Sequence, residues 1–271
     1  MNAPHLPEHL NRFAAIRQRR RALTWLVGAS ALPLIGCGGG SSSEDTADVF
    51  TNGSSTTCSA IPAETAGPYP GDGTNSVAGS TVNALALSGI VRSDIRSSLP
   101  ASLGSAAGVP VTVTLQLLNA NASCASLAGY AVYLWHCDRD GNYSMYSSGL
   151  TNQNYLRGVQ VADSDGVVVF DTVFPGCYSG RWPHMHFEIF SSLAAATSGN
   201  DDLRTSQLAL PEVACREVYA SSGYSASLSN LNAITLSTDN VFSDGSTLQL
   251  AAVSGSVAAG YTATLTVGVP A

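Results

Sequence analysis

The stretch Pro175-Gly176-Cys177-Tyr178-Ser179-Gly180-Arg181-Trp182-Pro183-His184-Met185-His186-Phe187 concentrates side chains that can do chemistry. Side chains two residues apart on a β-strand project from one face, so His184 and His186 can reach one metal ion while Met185 turns away. A His-x-His pair alone is weak evidence, because surface and core histidines at that spacing are common. Imidazole is scarce here, however: of five histidines only His136, His184 and His186 lie beyond residue 36. Tyr178 sits in the Gly/Pro-rich loop before the pair, and Tyr143 follows Gly141-Asn142 in a loop after an earlier strand. Each tyrosine could equally be a buried ring whose hydroxyl bonds to backbone. Two phenolates and two imidazoles together, however, make a donor set for a hard, highly charged cation. Fe(III) suits anionic oxygen, and its charge would ionise phenols whose free pKa is about 10. Zinc more typically gathers cysteine, histidine or carboxylate, and no nearby carboxylate is an obvious third ligand. Glu188 shares the strand face with His186 but reads as a supporting or sheet residue, and His136, beside Trp135, reads as packing.

Short strands must position these groups. Val111–Leu118 and Tyr130–Trp135 are β-branched and aromatic with two-residue periodicity, and Gly166–Val173, Met185–Phe190, Thr247–Val253 and Tyr261–Val269 continue the series. No comparably long segment carries a clean 3.6-residue stripe. Strands separated by Gly, Asp, Asn and Pro predict an all-β sandwich or barrel. Asp138-Arg139-Asp140-Gly141-Asn142 and Asp163-Ser164-Asp165-Gly166 read as turns. Neither continues into the glutamate of a calcium-binding EF-hand loop.

Charged residues make up only 11% of the chain, hydrophobic ones 45%, and 26 residues are glycine, which suits a compact loop-rich β protein. All 12 basic residues are arginine, and the net charge is −7. Beyond residue 36, seven arginines face 18 acids, a surface that repels a phosphate backbone and excludes nucleic acid as a partner.

The first 36 residues read as a signal peptide: an arginine-rich start, then the fourteen-residue apolar run Ala22–Ile35, short of the roughly 20 needed to span a bilayer. Leu34-Ile35-Gly36-Cys37 resembles a bacterial lipobox, which makes Cys37 the lipidated residue and the mature protein an exported, lipid-anchored component of the cell envelope, periplasmic or extracellular. Arg19-Arg20-Arg21 also permits twin-arginine export. Residues 37–57 form a Gly/Ser/Thr-rich tether, and residues 58–271 the folded domain. In an oxidising compartment Cys58, Cys124, Cys137, Cys177 and Cys215 should give one or two disulfides and at least one thiol, with the pairing open.

Five segments, in order, resemble the intradiol ring-cleavage dioxygenases, the family of protocatechuate and catechol dioxygenases. They are Glu64–Tyr69, Val91–Arg96, Leu134–Asp138 with Gly141–Ser144, Tyr155–Gly158 with Asp163–Gly166, and the stretch containing Tyr178 and the histidines. The resemblance implies an intradiol dioxygenase-like β-sandwich with long active-site loops. It implies non-haem Fe(III) held by Tyr143, Tyr178, His184 and His186, with Tyr178 leaving when substrate arrives. The implied reaction cleaves a catechol-type ring with O₂ to a cis,cis-muconate-type diacid. By position, Arg181 resembles the arginine beside the bound ring, Gln207 the glutamine near the iron, and Pro68 and Tyr69 residues lining the substrate pocket. Two departures stand out: His184 follows Tyr178 by only six positions, and the helical N-terminal domain through which catechol dioxygenases dimerise is missing, which leaves homo-oligomer formation open. The rival readings are a non-enzymatic β-sandwich binding lipoprotein and a zinc hydrolase built on the His-x-His pair.

Overall fold

The computed structural model describes residues 58–198 and 202–271; the expected signal peptide, Cys37 and the tether lie outside the described residues. The strands are β1 (Asp72–Val77), β2 (Ser80–Asn83), β3 (Pro110–Asn119), β4 (Ala125–Ser126), β5 (Ala131–Trp135), β6 (Arg157–Val161), β7 (Val167–Val173), β8 (His184–Phe190), β9 (Arg204–Ala209), β10 (Ala252–Ser256) and β11 (Gly260–Val269). Three short helices are interspersed: α1 (Leu193–Ser198), α2 (Glu212–Tyr219) and α3 (Ser227–Asn232).

Two sheets make the expected sandwich. One runs β10-β11-β3, with β4 and β7 both pairing to β3; the other runs β6-β5-β8-β9 and is antiparallel throughout. β3 shows why it forms: Val111, Val113, Leu115 and Leu117 are buried while the alternating Thr112, Thr114 and Gln116 are only half-buried. Those four pack in one core with Val132, Leu134, Met185, Phe187, Ile189 and Leu208 from the second sheet. Each such side chain contributes about 1.5–3 kcal/mol by leaving water.

The central strands of the second sheet are covered on both faces, and every residue of β5 and β8 is buried. Val132 and Leu134 point to the sandwich core, whereas Ala131, Tyr133 and Trp135 join a separate cluster with Tyr143, Val159 and Phe190. Loops cover that outer face, and on it His184, His186 and Glu188 project.

The strand expected at Thr247–Val253 is displaced to Ala252–Ser256. Gln249 N–H and Leu250 N–H turn back onto Ser246 O, and the chain then bonds to β9 through Ala209 N–H to Gln249 O (2.8 Å) and Ala251 N–H to Ala209 O (3.0 Å). Its alternation therefore belongs partly to a turn. Helix α2 buries Ala214, Cys215, Val218 and Tyr219, a stripe too short to announce itself in the sequence. Among the described residues one disulfide, Cys58–Cys124, ties the start of the domain to the β3–β4 corner, while Cys137, Cys177 and Cys215 are buried thiols.

Candidate metal centre

His184 and His186 open β8. In the register His186 lies opposite Trp135 on one side and Gln207 on the other. Tyr143 arrives from the turn after β5, where Asp138 Oδ1 accepts the N–H groups of Asp140 and Asn142 (both 2.9 Å) and Asp138 N–H bonds to Asn142 O (2.8 Å). The loop carrying Tyr178 is pinned on both sides. Gly176 N–H donates to Asp138 O (2.9 Å), Cys177 N–H to Ser227 Oγ (3.0 Å), and Asn230 Nδ2 to Cys177 O (2.7 Å). Gly141, at φ +84°, permits this approach: a Cβ there would stand 3.0 Å from Tyr178 Cβ.

The four side chains converge. Tyr143 Oη is 3.5 Å from Tyr178 Oη, Tyr178 Oη is 3.2 Å from His184 Nε2, and His184 Nε2 is 3.1 Å from His186 Nε2. His184 Nδ1 lies against the Trp182 carbonyl, which can only accept, so its proton sits on Nδ1 and the Nε2 lone pair faces inward. His186 stacks on Trp135, and its Nδ1 is buried without a hydrogen-bond partner. Among the described residues no trio of His, Cys, Asp and Glu is gathered as for a metal, so phenolic oxygens must complete any set around these histidines. Four lone-pair-bearing atoms, each within 3.5 Å of the next, fit a hard cation that accepts both nitrogen and anionic oxygen.

Burial dominates the electrostatics. It pushes the Tyr143 phenol well above its usual 10, the neighbouring Tyr178 adding to the effect, and raises Tyr178 to about 12. It lowers His184 to about 3 and His186 well below the usual imidazole range. The histidines are thus neutral and able to ligate, while the phenols await a positive charge to ionise them.

Arg181 and Gln207 lie beside this cluster. Arg181 Nη2 donates to Gln207 Oε1 (2.7 Å), and Gln207 Nε2 donates to Thr65 O (2.9 Å). Arg181 Nε donates to Asp239 Oδ2 (2.9 Å), a fully buried carboxylate that the sequence reading did not single out. Burial alone would raise the Asp239 pKa, but the Arg181 hydrogen bond and backbone N–H groups outweigh it and hold it low. Nothing in Ser237-Thr238-Asp239-Asn240 signals this role, because its partner is 58 residues away.

Tyr69 is partly exposed, its ring 5.1 Å from that of Tyr143 and 5.2 Å from that of Tyr146; Pro68 is exposed, and its carbonyl accepts from Asn75 Nδ2 (2.8 Å). Arg157, also unassigned by the sequence reading, is 1% exposed and ties this loop to the Tyr143 loop. Its guanidinium donates to Tyr69 O (2.9 Å), Pro70 O (2.5 Å), Ser144 O (3.0 Å), Ser144 Oγ (3.1 Å) and Tyr133 Oη (3.1 Å). Glu188 is buried and pushed up to about 9 by desolvation, with nearby Asp72 adding, so it is a neutral acid at pH 7.

A family model described as Dioxygenase (Dioxygenase_C) matches residues 93–193, a span that includes Tyr143, Tyr178, Arg181, His184 and His186. Over 52 residues the chain is 38% identical to chlorocatechol 1,2-dioxygenase of Rhodococcus opacus; that match spans 19% of this chain and only 20% of the relative. The solved intradiol ring-cleavage dioxygenase from Tetranychus urticae is similar at a TM-score of 0.60 and 25% identity, over 79% of this chain and 96% of that one. A second solved dioxygenase shares the fold at a TM-score of 0.59 and 24% identity, over 79% of this chain and 95% of that one. In its matched central segment and in its fold, the chain is thus similar to the intradiol ring-cleavage dioxygenases.

Proposed function

We propose that this chain is a non-haem Fe(III) dioxygenase that opens a catechol-type ring between its two hydroxyl-bearing carbons, using O₂ to give a cis,cis-muconate-type diacid. The observation that carries this is the convergence of Tyr143 Oη, Tyr178 Oη, His184 Nε2 and His186 Nε2, each within 3.5 Å of the next. Ferric iron held by these four atoms would supply Lewis acidity toward the catechol oxygens and an electron-poor centre that opens the ring to O₂.

The chain's own groups supply the rest. Tyr143, 2% exposed, is built to stay in place. Tyr178, on a loop and less deeply buried, would be the more easily displaced of the two phenol ligands, and its Oη would serve as acceptor for a catechol proton. Arg181, fixed by Gln207 and Asp239, presents positive charge toward negative charge developing on the ring. Pro68 and Tyr69 offer a wall for the ring, and the buried Trp135 and Tyr133 behind His186 exclude water from that side.

The test loads purified protein with Fe(III) or Zn(II), titrates catechol anaerobically, then admits O₂. The expected result is the burgundy absorption of tyrosinate on Fe(III), a catechol-dependent shift, and one O₂ consumed per ring-opened diacid. Tyr143→Phe and His184→Ala should lose iron or colour, and Arg181→Ala should keep iron and lose turnover. A colourless iron-loaded protein that binds but never opens catechols would favour the binding-lipoprotein reading instead.

We infer further that residues 1–36 direct export and that Cys37 carries a lipid anchoring the enzyme to a membrane. Mass spectrometry of the mature N-terminus, before and after Cys37→Ser, tests this.

A further inference from the structure

We propose that Asp239 is the positioning residue of the site: it locks the Nε edge of Arg181 so that the guanidinium turns a defined end toward the substrate ring. The inference deepens the dioxygenase reading and rests on it.

Each oxygen of Asp239 is committed. Oδ2 accepts Arg181 Nε–H (2.9 Å) and Trp182 N–H (2.7 Å), and Oδ1 accepts Val241 N–H (2.8 Å) and Phe242 N–H (3.1 Å). A carboxylate with no solvent exposure is sustained only by such a complete set of donors. Its geometry is therefore set by backbone on two segments, and it transmits that geometry to Arg181.

Arg181 needs this help. It follows Gly180, at φ +83°, in a loop outside any strand or helix, so no regular element fixes its long side chain. Asp239 takes Nε and Gln207 takes Nη2, and among the described residues no hydrogen bond uses Nη1. Phe242 completes the support: the Arg181 guanidinium carbon stands 6.0 Å from its ring centroid, and the same ring meets that of His184 edge-on at 6.4 Å. Three groups thus hold the guanidinium and leave one end free. The acid also balances its charge, so Arg181 can point a donor toward the centre without placing an unpaired cation beside a metal ion. In this way the C-terminal segment, which contributes none of the four ligand-type side chains, helps shape the site.

The experiment compares Asp239→Asn, Arg181→Ala, Arg181→Lys and the double variant Arg181→Ala/Asp239→Asn in the iron-loaded full chain. Asp239→Asn is expected to retain iron and lower kcat for catechol roughly 10- to 100-fold, with a much smaller change in KM. In the Arg181→Ala background it should lower kcat no further. In the metal-free protein, the protected Arg181 Nε–H resonance, assigned by its loss in Arg181→Ala, should vanish in Asp239→Asn. If Asp239→Asn does not fold, Arg181→Lys carries the test, since it keeps the charge but cannot bridge Asp239 and Gln207; it should lose at least about tenfold in kcat. Wild-type turnover in Asp239→Asn or Arg181→Lys, or full additivity in the double variant, overturns this inference and leaves the dioxygenase reading intact. An iron-loaded wild type inert toward catechols overturns that reading and the inference with it.

Discussion

The imidazole of His186 lies flat on the indole of Trp135, ring centroids 5.0 Å apart and planes 8° from parallel. Tyr133 stacks behind the same indole at 4.9 Å, so one aromatic stack sets the plane of a ligand-type histidine. Trp135→Ala empties a fully buried site and should cost about 3–5 kcal/mol in urea unfolding. It should also weaken iron binding, whereas Trp135→Phe should keep most of both, since it retains a ring and removes an indole N–H that has no partner. Iron affinity unchanged in the alanine variant would show that the stack does not orient His186.

Gly67 offers a second route to the same histidine. Its φ is +72°, and a Cβ would stand 3.3 Å from His186 Cε1. Gly67→Ala combines about 1–2 kcal/mol of left-handed backbone strain with pressure on that ring. Lower thermal stability together with reduced iron occupancy is expected; a stability loss with full occupancy would show that the ring yields freely.

His136 provides a pH signature separate from the candidate centre. Its Nδ1 donates to Cys137 O (2.8 Å), so Nε2 is the acceptor for the Thr172 hydroxyl (2.7 Å). Burial lowers its pKa from 6.5 to about 4. Between those values the unfolded chain binds a proton that the folded chain refuses, so stability falls as pH drops from 6.5 toward 4 and levels off below. Denaturant titrations of metal-free protein should show His136→Gln shallower than wild type by up to about 1.4 kcal/mol per pH unit in that window. His184 and His186 contribute to both curves, and the difference isolates His136. Parallel curves would contradict the buried neutral state.

The Cys58–Cys124 disulfide closes a loop of sequence separation 66. Chain-entropy arguments give such a crosslink about 4 kcal/mol. Cys58→Ser should therefore lower the unfolding midpoint and make it insensitive to reductant, while the wild type falls to the same midpoint when reduced. A wild type whose midpoint ignores reductant would show that the crosslink contributes nothing.

Much of this site was legible because it is local. The two-residue spacing of His184 and His186 required a strand, and the glycines beside Tyr143 and Tyr178 marked loops that could bring phenols to it. Residues acting across the sheet were harder to read. Gln207 stands opposite His186 through strand pairing, yet nothing in its own segment shows which strand it will join. Asp239 was invisible for the same reason, compounded by a surrounding segment without periodicity. Arg157 lies in the segment Tyr155–Gly158, but its role as a tie between two loops depends on carbonyl groups, which no side-chain pattern encodes. The misplaced strand near residue 250 failed differently: alternation there reflects a turn followed by an extended run on β9.

Strand β8 serves two masters. Met185, Phe187 and Ile189 fill the sandwich interior, while His184 and His186 face the opposite way. A slip of one residue would drive the imidazoles into hydrocarbon and deliver methionine and phenylalanine in their place, so chemistry and folding fail together. Variation that retunes this protein without wrecking it must therefore enter through the surrounding loops and leave that seven-residue strand in register.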